Sequence, residues 1–326
     1  MVKFLIIRFS SIGDIVLTTP IVRMLKEQVE NAEIHYLTKK GYSSILKSNP
    51  YIDEVHSYNN NLQETIEKLK YLHFNYIIDL HNNYRSNRVK NGLNIISFSF
   101  DKLNWKKWLI VNFKIDKLPN IHIVDRYINT VSVFDIINDN KGLDYFIPPK
   151  DIVDINTLPN EYKKGYVGFV IGAGHFTKRL PAEKISQICS NIKQPIILLG
   201  GPDDSETAMK IIKSSVGTIF NACGNYSLNE SASLVMNANL IITHDTGLMH
   251  IAAAFKKKII SVWGNTIPEF GMYPYLSSND SEIVQVNNLK CRPCTKIGFS
   301  RCPKKHFKCM NDIPEDKIVA LVQKLF

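Results

Sequence analysis

Short apolar runs, polar turns and helical patterns alternate along most of the chain. Residues 3–8, KFLIIR, form a continuous apolar and β-branched run that predicts a buried parallel strand. The turn Phe9-Ser10-Ser11-Ile12-Gly13-Asp14 follows, and then a helical pattern with Ile15, Ile21, Val22, Leu25 and Val29 on one side. Pro20 lies early enough to start the main helix or to kink its first turn. Further strands are predicted over 33–37, 55–58, 76–80 and 95–98, with helices over 41–47 and 62–71. This alternation means βαβ units, and hence a parallel sheet with helices on both faces.

A helical run over 122–133 is followed by residues 148–163, which carry Pro148, Pro149 and Pro159 without periodicity and predict a linker. The alternation then resumes. Strands are predicted over 166–171, 195–199, 240–243 and 259–263, and helices after Pro181, over 205–213 and over 228–236. Pro314 opens a last amphipathic helix. The expected plan is two α/β domains, 1–155 and 156–326, with the last helix packing back on the first domain. Ligands of such sheets bind at the carboxyl ends of the strands. The stretch His244-Asp245-Thr246-Gly247-Leu248-Met249-His250 reads as one such end, a polar turn between a buried strand and a helix. Asp245 or Thr246 suits a helix cap there, and the free N–H groups of the first helical turn suit an anion.

Length and composition fit a folded globular protein: 326 residues, 44% apolar and 21% charged. No apolar run reaches the ~18 residues of a membrane span, and the N-terminal run is too short for a signal peptide. A cytoplasmic protein is expected. The net charge of +10 is concentrated in two segments. Between Arg85 and Lys117 eight basic residues face two acidic ones, and between Asn287 and Met310 seven face none. Such patches suit a nucleic acid, an anionic membrane surface or a phosphorylated substrate. No nucleic-acid motif is present, which argues against the first of these.

Of the six cysteines, Cys189 and Cys223 sit singly in apolar contexts and are expected in the core. Cys291, Cys294, Cys302 and Cys309 have the spacing C-x2-C-x7-C-x6-C, suggestive of a four-thiolate metal site, with disulfides or plain thiols as alternatives. No G-x-G-x-x-G follows the first strand and no G-x-x-x-x-G-K-[ST] occurs, which argues against a dinucleotide-binding dehydrogenase and a P-loop NTPase.

Three motifs in order, Ser10-Ser11-Ile12-Gly13-Asp14, Lys178-Arg179-Leu180-Pro181 and Asp245-Thr246-Gly247-Leu248-Met249-His250, resemble glycosyltransferase family 9, the heptosyltransferases of lipopolysaccharide core assembly. Asn49-Pro50-Tyr51-Ile52-Asp53, Asp79-Leu80 and Gly264-Asn265-Thr266 extend the resemblance over nearly the whole chain. It implies a GT-B fold, two Rossmann-like doubly wound parallel-sheet domains facing a central cleft. It also implies inverting transfer of heptose from a nucleotide-sugar donor, usually ADP-heptose, without a catalytic metal or other cofactor. By this resemblance Asp14 is the general base, which takes the proton of the attacking acceptor hydroxyl. Lys178, Thr246, Gly247, Asp245 and His250 belong to the donor diphosphate, whose leaving charge must be stabilised. Gly200, Gly201, Asp204 and Glu206 lie where the family meets the nucleoside. Ser10, Ser11, Gly13 and Arg85 fall on the acceptor side.

The expected acceptor is an anionic lipid-linked saccharide, which the basic stretch 85–117 suits. Trp105 and Trp108 are either anchors at the inner-membrane surface or core residues. The family often has an aromatic residue where this chain has Leu180, which puts a stacking contact to the donor in doubt. Two alternatives keep the fold: a nucleotide-sugar epimerase or hydrolase, and an inactive nucleotide-sugar-binding protein.

Overall fold

A computed structural model describes residues 1–58 and 60–326. The chain divides into two units, Met1–Lys102 with Ile121–Phe146, and Leu103–Asn120 with Ile147–Phe326. In the first unit, β1 (Val2–Ile7) leads through α1 (Ile12–Val16) and α2 (Thr19–Gln28) to β2 (Ala32–Lys39) and β3 (Glu54–Tyr58). Then come α3 (Leu62–Lys70), β4 (Tyr76–Asp79), α4 (Tyr84–Leu93), β5 (Ser97–Ser99) and, after residue 120, α6 (Ile123–Thr130). All neighbours pair in parallel, in the order β3-β2-β1-β4-β5. The central strand is apolar on both faces because helices cover both. Leu5 and Ile7 join the cluster with Ile66 and Leu69 of α3 and Val89 of α4. Pro20 lies in the first turn of α2, after a two-residue break that separates α1 from it.

The second unit holds α5 (Asn104–Phe113), β6 (Val167–Val170), α7 (Ala182–Asn191), β7 (Ile196–Leu199), α8 (Ser205–Lys213), β8 (Ile219–Asn221) and α9 (Leu228–Asn237). β9 (Leu240–His244), α10 (Gly247–Ala254), β10 (Lys258–Trp263), β11 (Glu282–Gln285), α11 (Lys308–Asn311) and α12 (Glu315–Leu325) complete it. Its sheet runs β11-β10-β9-β6-β7-β8, all parallel. Counted from β6 this is the doubly wound order 3-2-1-4-5-6, and the chain leaves the central strand in opposite directions beyond β8 and back to β9. The crevice for a ligand in such a sheet opens at the carboxyl ends of β6 and β9.

Five elements lay outside the sequence expectation: α4, α5, β8, β11 and the single turn α11. α4 buries only Ser86 and Val89, so its apolar stripe is too thin to register as a period. β8 has three residues and β11 four, each on a sheet edge, where little apolar surface is needed. The segment 103–120 groups with the second unit although the first surrounds it in sequence, and the chain passes between units at 146–147 rather than near 155. The final helix was expected on the first domain. Instead α12 lies against α7 and β10, with Ile318, Val322 and Leu325 in the second unit's core.

Candidate active site

In the first unit the turn after β1 is built around Arg8, a charge at the end of an apolar strand. Arg8 is 8% exposed and donates through Nε to the Ser10 carbonyl (2.9 Å), and through Nη1 to the Leu80 carbonyl and the Tyr127 hydroxyl (3.0 Å). Its remaining nitrogen sits 2.5 Å from Asp14 Oδ1. Asp14 Oδ2 accepts from the Ser11 backbone N–H (3.1 Å) and the Ser11 hydroxyl (2.7 Å). Both carboxylate oxygens are therefore oriented from the β1 side. Ser10, Ser11 and Gly13 stand with Asp14 in this turn. Arg85 is exposed on the first turn of α4, beyond the neighbouring strand β4 at the same end of the sheet.

Two neighbours complete this end of the first sheet. Asp79, fully buried, accepts from the backbone N–H groups of His81 (3.0 Å) and Asn82 (2.7 Å) and pairs with Lys90 (3.1 Å). His81 Nδ1 accepts from the Phe9 N–H (3.3 Å), and burial, with Arg8 and Lys102 adding to it, pushes the imidazole down to about 4. The ring is neutral at physiological pH.

In the second unit, Lys178 and the stretch 244–250 meet. Lys178 Nζ lies 2.6 Å from Asp245 Oδ2, with side chains 15% and 10% exposed, and Thr266 Oγ1 donates to the same oxygen (3.0 Å). An ammonium has three N–H donors, so Lys178 keeps capacity for a further anion while Asp245 orients it. Thr246 stands at the N-cap position of α10 without a side-chain cap bond, its hydroxyl 3.4 Å from that of Thr243. Thr246, Gly247 and Leu248 are partly exposed, and the N–H groups of the first turn of an eight-residue helix open there. His250 is buried in α10.

His244 locks the two motifs together. The ring is fully buried at the end of β9, and its Nε2 accepts from the Leu180 N–H (3.0 Å). Burial first, then Arg179, pushes this imidazole down to about 3, so it is held neutral as an acceptor. Leu180, at the position where the family often has an aromatic residue, is 4% exposed and belongs to the core. An aromatic ring, Phe176, stands exposed two residues before Lys178.

The expected nucleoside residues separate into two environments. Gly200, Gly201 and Asp204 lie together after β7. Asp204 Oδ1 pairs with Arg179 (2.9 Å) and Oδ2 accepts from the Gly201 N–H (2.9 Å), so both oxygens hold the protein's own turns. Gly172, after β6, passes so close that a Cβ there would stand 2.0 Å from Asp204 Oδ2. Glu206 is on α8 with its side chain 82% exposed, paired with Lys210 one turn on. His244, Arg179 and Thr266 stood inside the sequence motifs without a role of their own, and Arg8 stood outside them. Arg8 left a signal, a charge closing an apolar run, and the others take their meaning from partners distant in sequence.

Trp105 and Trp108 are not core residues: they are 67% and 45% exposed on α5 and stack with centroids 4.9 Å apart. Cys189 and Cys223 are buried as expected. Cys291, Cys294, Cys302 and Cys309 are free thiols. Cys294 Sγ donates to the Cys291 carbonyl (3.1 Å), and Cys291 Sγ lies 3.9 Å from His306 Nε2. Among the described residues, the group close enough together to hold a metal ion is elsewhere, at His35, Glu54 and His56. No helix of the described residues is long and apolar enough to cross a membrane.

The family model of glycosyltransferase family 9 (heptosyltransferase) matches residues 63–304. A lipopolysaccharide heptosyltransferase 1 of Campylobacter coli is 25% identical, over 99% of each chain. Among solved structures, a glycosyl transferase family 9 protein from Veillonella parvula superposes with a TM-score of 0.80 at 21% identity, covering 99% of this chain and 96% of that one. The ADP-heptose lps heptosyltransferase II of E. coli does so with 0.75 at 18%, covering 99% and 98%. These structures share the GT-B architecture of two parallel-sheet α/β domains. With the family model matched over most of its length, the chain belongs to glycosyltransferase family 9, the heptosyltransferases of lipopolysaccharide biosynthesis.

Proposed function

We propose that this heptosyltransferase moves heptose, or a related sugar, from ADP-heptose to the anionic inner core of a lipid-linked, lipopolysaccharide-type saccharide. The reaction inverts the anomeric centre and uses no metal or other cofactor. The observation that carries the reading is Asp14, held by Arg8 and Ser11 at the carboxyl end of β1 with both oxygens oriented. In the step, the acceptor oxygen bonds to the anomeric carbon as its proton passes to the Asp14 carboxylate. The bond from that carbon to the diphosphate oxygen breaks, and its electron pair leaves with the nucleoside diphosphate.

Lys178, the Thr246 hydroxyl and the backbone N–H groups of Gly247 and Leu248 receive the leaving charge. Asp245 acts by orienting Lys178, and a buried His250 supports the turn. Gly200 and Gly201 meet the nucleoside through backbone, while Asp204 serves as the anchor of their turn. The exposed Glu206, in an ion pair on the helix surface, is the acid that can turn to ribose hydroxyls. Ser10, Ser11, Gly13 and Arg85 serve the acceptor. The exposed pair Trp105 and Trp108, next to Lys106 and Lys107, gives a peripheral contact with the cytoplasmic face of an anionic membrane.

The test is Asp14→Asn. Loss of a general base costs about 10²–10⁴ in turnover, while the affinity for ADP-heptose, on the second unit, should stay within a factor of two or so of wild type. Turnover at the wild-type rate would remove Asp14 from the role of base.

A further inference from the structure

Away from the carboxyl ends of the strands, β2 and β3 gather three polar side chains on one face of the first sheet. His35 is 2% exposed and faces Glu54 in the parallel register, with His56 two residues along β3. The imidazoles stack with centroids 5.0 Å apart and planes 8° from parallel, and His35 Nδ1 is 2.7 Å from His56 Nε2. Glu54 reaches both rings: Oε2 is 3.6 Å from His35 Nδ1 and Oε1 is 3.5 Å from His56 Nδ1. On the far side of His35, Nε2 lies 2.7 Å from Glu33 Oε1, and Lys3 Nζ holds that oxygen at 3.2 Å.

A carboxylate only accepts, so His35 Nε2 donates to Glu33, and across the 2.7 Å gap one proton is shared between His35 Nδ1 and His56 Nε2. A carboxylate behind one ring nitrogen, with the opposite nitrogen bare, is the arrangement that orients metal-binding imidazoles. Phe74 closes the set with its ring edge-on to both histidines, at 5.0 and 6.3 Å. His56 also lines a surface cavity of about 420 Å³ with Ser57, Asn61, Glu64 and Lys68.

We propose that His35, His56 and Glu54 form a binding site for a divalent transition-metal cation of the zinc class, which takes the place of the proton between the two rings. Two imidazoles and a carboxylate suit Zn²⁺, and the cavity side leaves a fourth position for water. With Zn–N bonds of ~2.0–2.1 Å, two tetrahedral nitrogen ligands stand about 3.3 Å apart, so the rings need to part by roughly 0.6 Å. On binding, the proton between the rings leaves, and His35 Nδ1 and His56 Nε2 each turn a lone pair to the ion. Glu54, with its side chain 56% exposed, turns one oxygen onto the ion at little cost. Such an ion would join the edge strand β3 to β2 and stabilise the first unit.

The experiment uses the full chain without an affinity tag, stripped with a chelator and titrated with Co²⁺ and Zn²⁺. Wild type is compared with His56→Gln, Glu54→Gln and Glu33→Gln, and with Cys291→Ser/Cys294→Ser to separate the loop thiols. The cysteine variant should keep one equivalent of Co²⁺ with a nitrogen–oxygen spectrum and no thiolate charge-transfer band. His56→Gln should lose that equivalent, together with the zinc-induced rise in melting temperature. Glu33→Gln, which only orients His35, should weaken binding about 10–100-fold. Circular dichroism confirms that each variant is folded, and the exposed Glu54 keeps the test open should His56→Gln unfold. Equal binding in wild type, His56→Gln and Glu54→Gln would overturn the proposal, as would binding confined to the cysteine loop.

Discussion

His244 ends β9 with no exposed surface, and the hydrogen bond at its ring Nε2 ties the Lys178 turn to the strand that leads into the α10 turn. Replacing it with phenylalanine keeps a flat ring, one atom larger, and removes the acceptor. The Leu180 N–H is then buried without a partner, which costs about 1–3 kcal/mol. Part of that is returned, because His244 Nδ1 has no hydrogen-bond partner among the described residues and phenylalanine removes this buried polar atom. The net expectation at pH 7 is a loss of about 1–2 kcal/mol, or ~2–8 °C in melting temperature for a unit of this size.

The same substitution changes the response to acid, and the sign follows from the buried ring. Burial and then Arg179 push His244 from 6.5 to about 3. An unfolded chain binds this proton below pH 6.5 and the folded chain does not, so the stability is present above pH 6.5 and lost as pH falls toward 3. At pH 4 the loss reaches about 3 kcal/mol, at ~1.36 kcal/mol per pH unit. Phenylalanine titrates nowhere, and the remaining ionisable groups are common to both proteins. The variant should therefore be the less stable form at pH 7, equal wild type between about pH 5 and 6, and be the more stable form at pH 4. All three tryptophans lie in the second unit, so melting followed by tryptophan fluorescence reports on the relevant part of the chain. A difference between the two proteins that stays constant from pH 7 to pH 4 would refute a neutral, buried His244.

Two further outcomes bear on the proposed reaction. Lys178→Gln should lower kcat/KM for the donor by about 10²–10³. It also strands Asp245 without its cation, so adding Asp245→Asn should restore stability but not transfer, as measured by melting and by single-turnover assay. Trp105→Ala/Trp108→Ala should release the protein from anionic vesicles in a flotation assay while transfer to a soluble, delipidated acceptor stays at the wild-type rate. Retained vesicle binding would remove α5 from the membrane contact.

Most long elements were legible because burial on both faces of a parallel sheet demands uninterrupted apolar runs, as in residues 4–7 and 240–242. The switch-point turns were legible for a related reason: a polar, glycine-containing turn after such a run has to sit at a strand's carboxyl end. What escaped was short or weakly amphipathic. β8 and β11 are edge strands of three and four residues, and α4 hides only one side chain larger than serine.

The chain order of apolar and polar residues thus determined two parallel α/β sheets, and its motifs placed Asp14, Lys178 and Thr246 at the ends of strands. The partners of those residues were decided by tertiary structure. Arg8 reaches Asp14, Leu80 and Tyr127, and His244 reaches Leu180 across 64 residues. Asp204, expected beside the nucleoside, is paired with Arg179 and holds the Gly201 N–H. The physical reason is that periodicity reports which face of an element is buried, a local property of spacing. A hydrogen bond or ion pair depends instead on which distant side chain folding brings within about 3 Å. The histidine and carboxylate cluster on β2 and β3 shows the same limit: Glu33, His35, Glu54 and His56 match no spacing motif, and the parallel register alone sets them side by side.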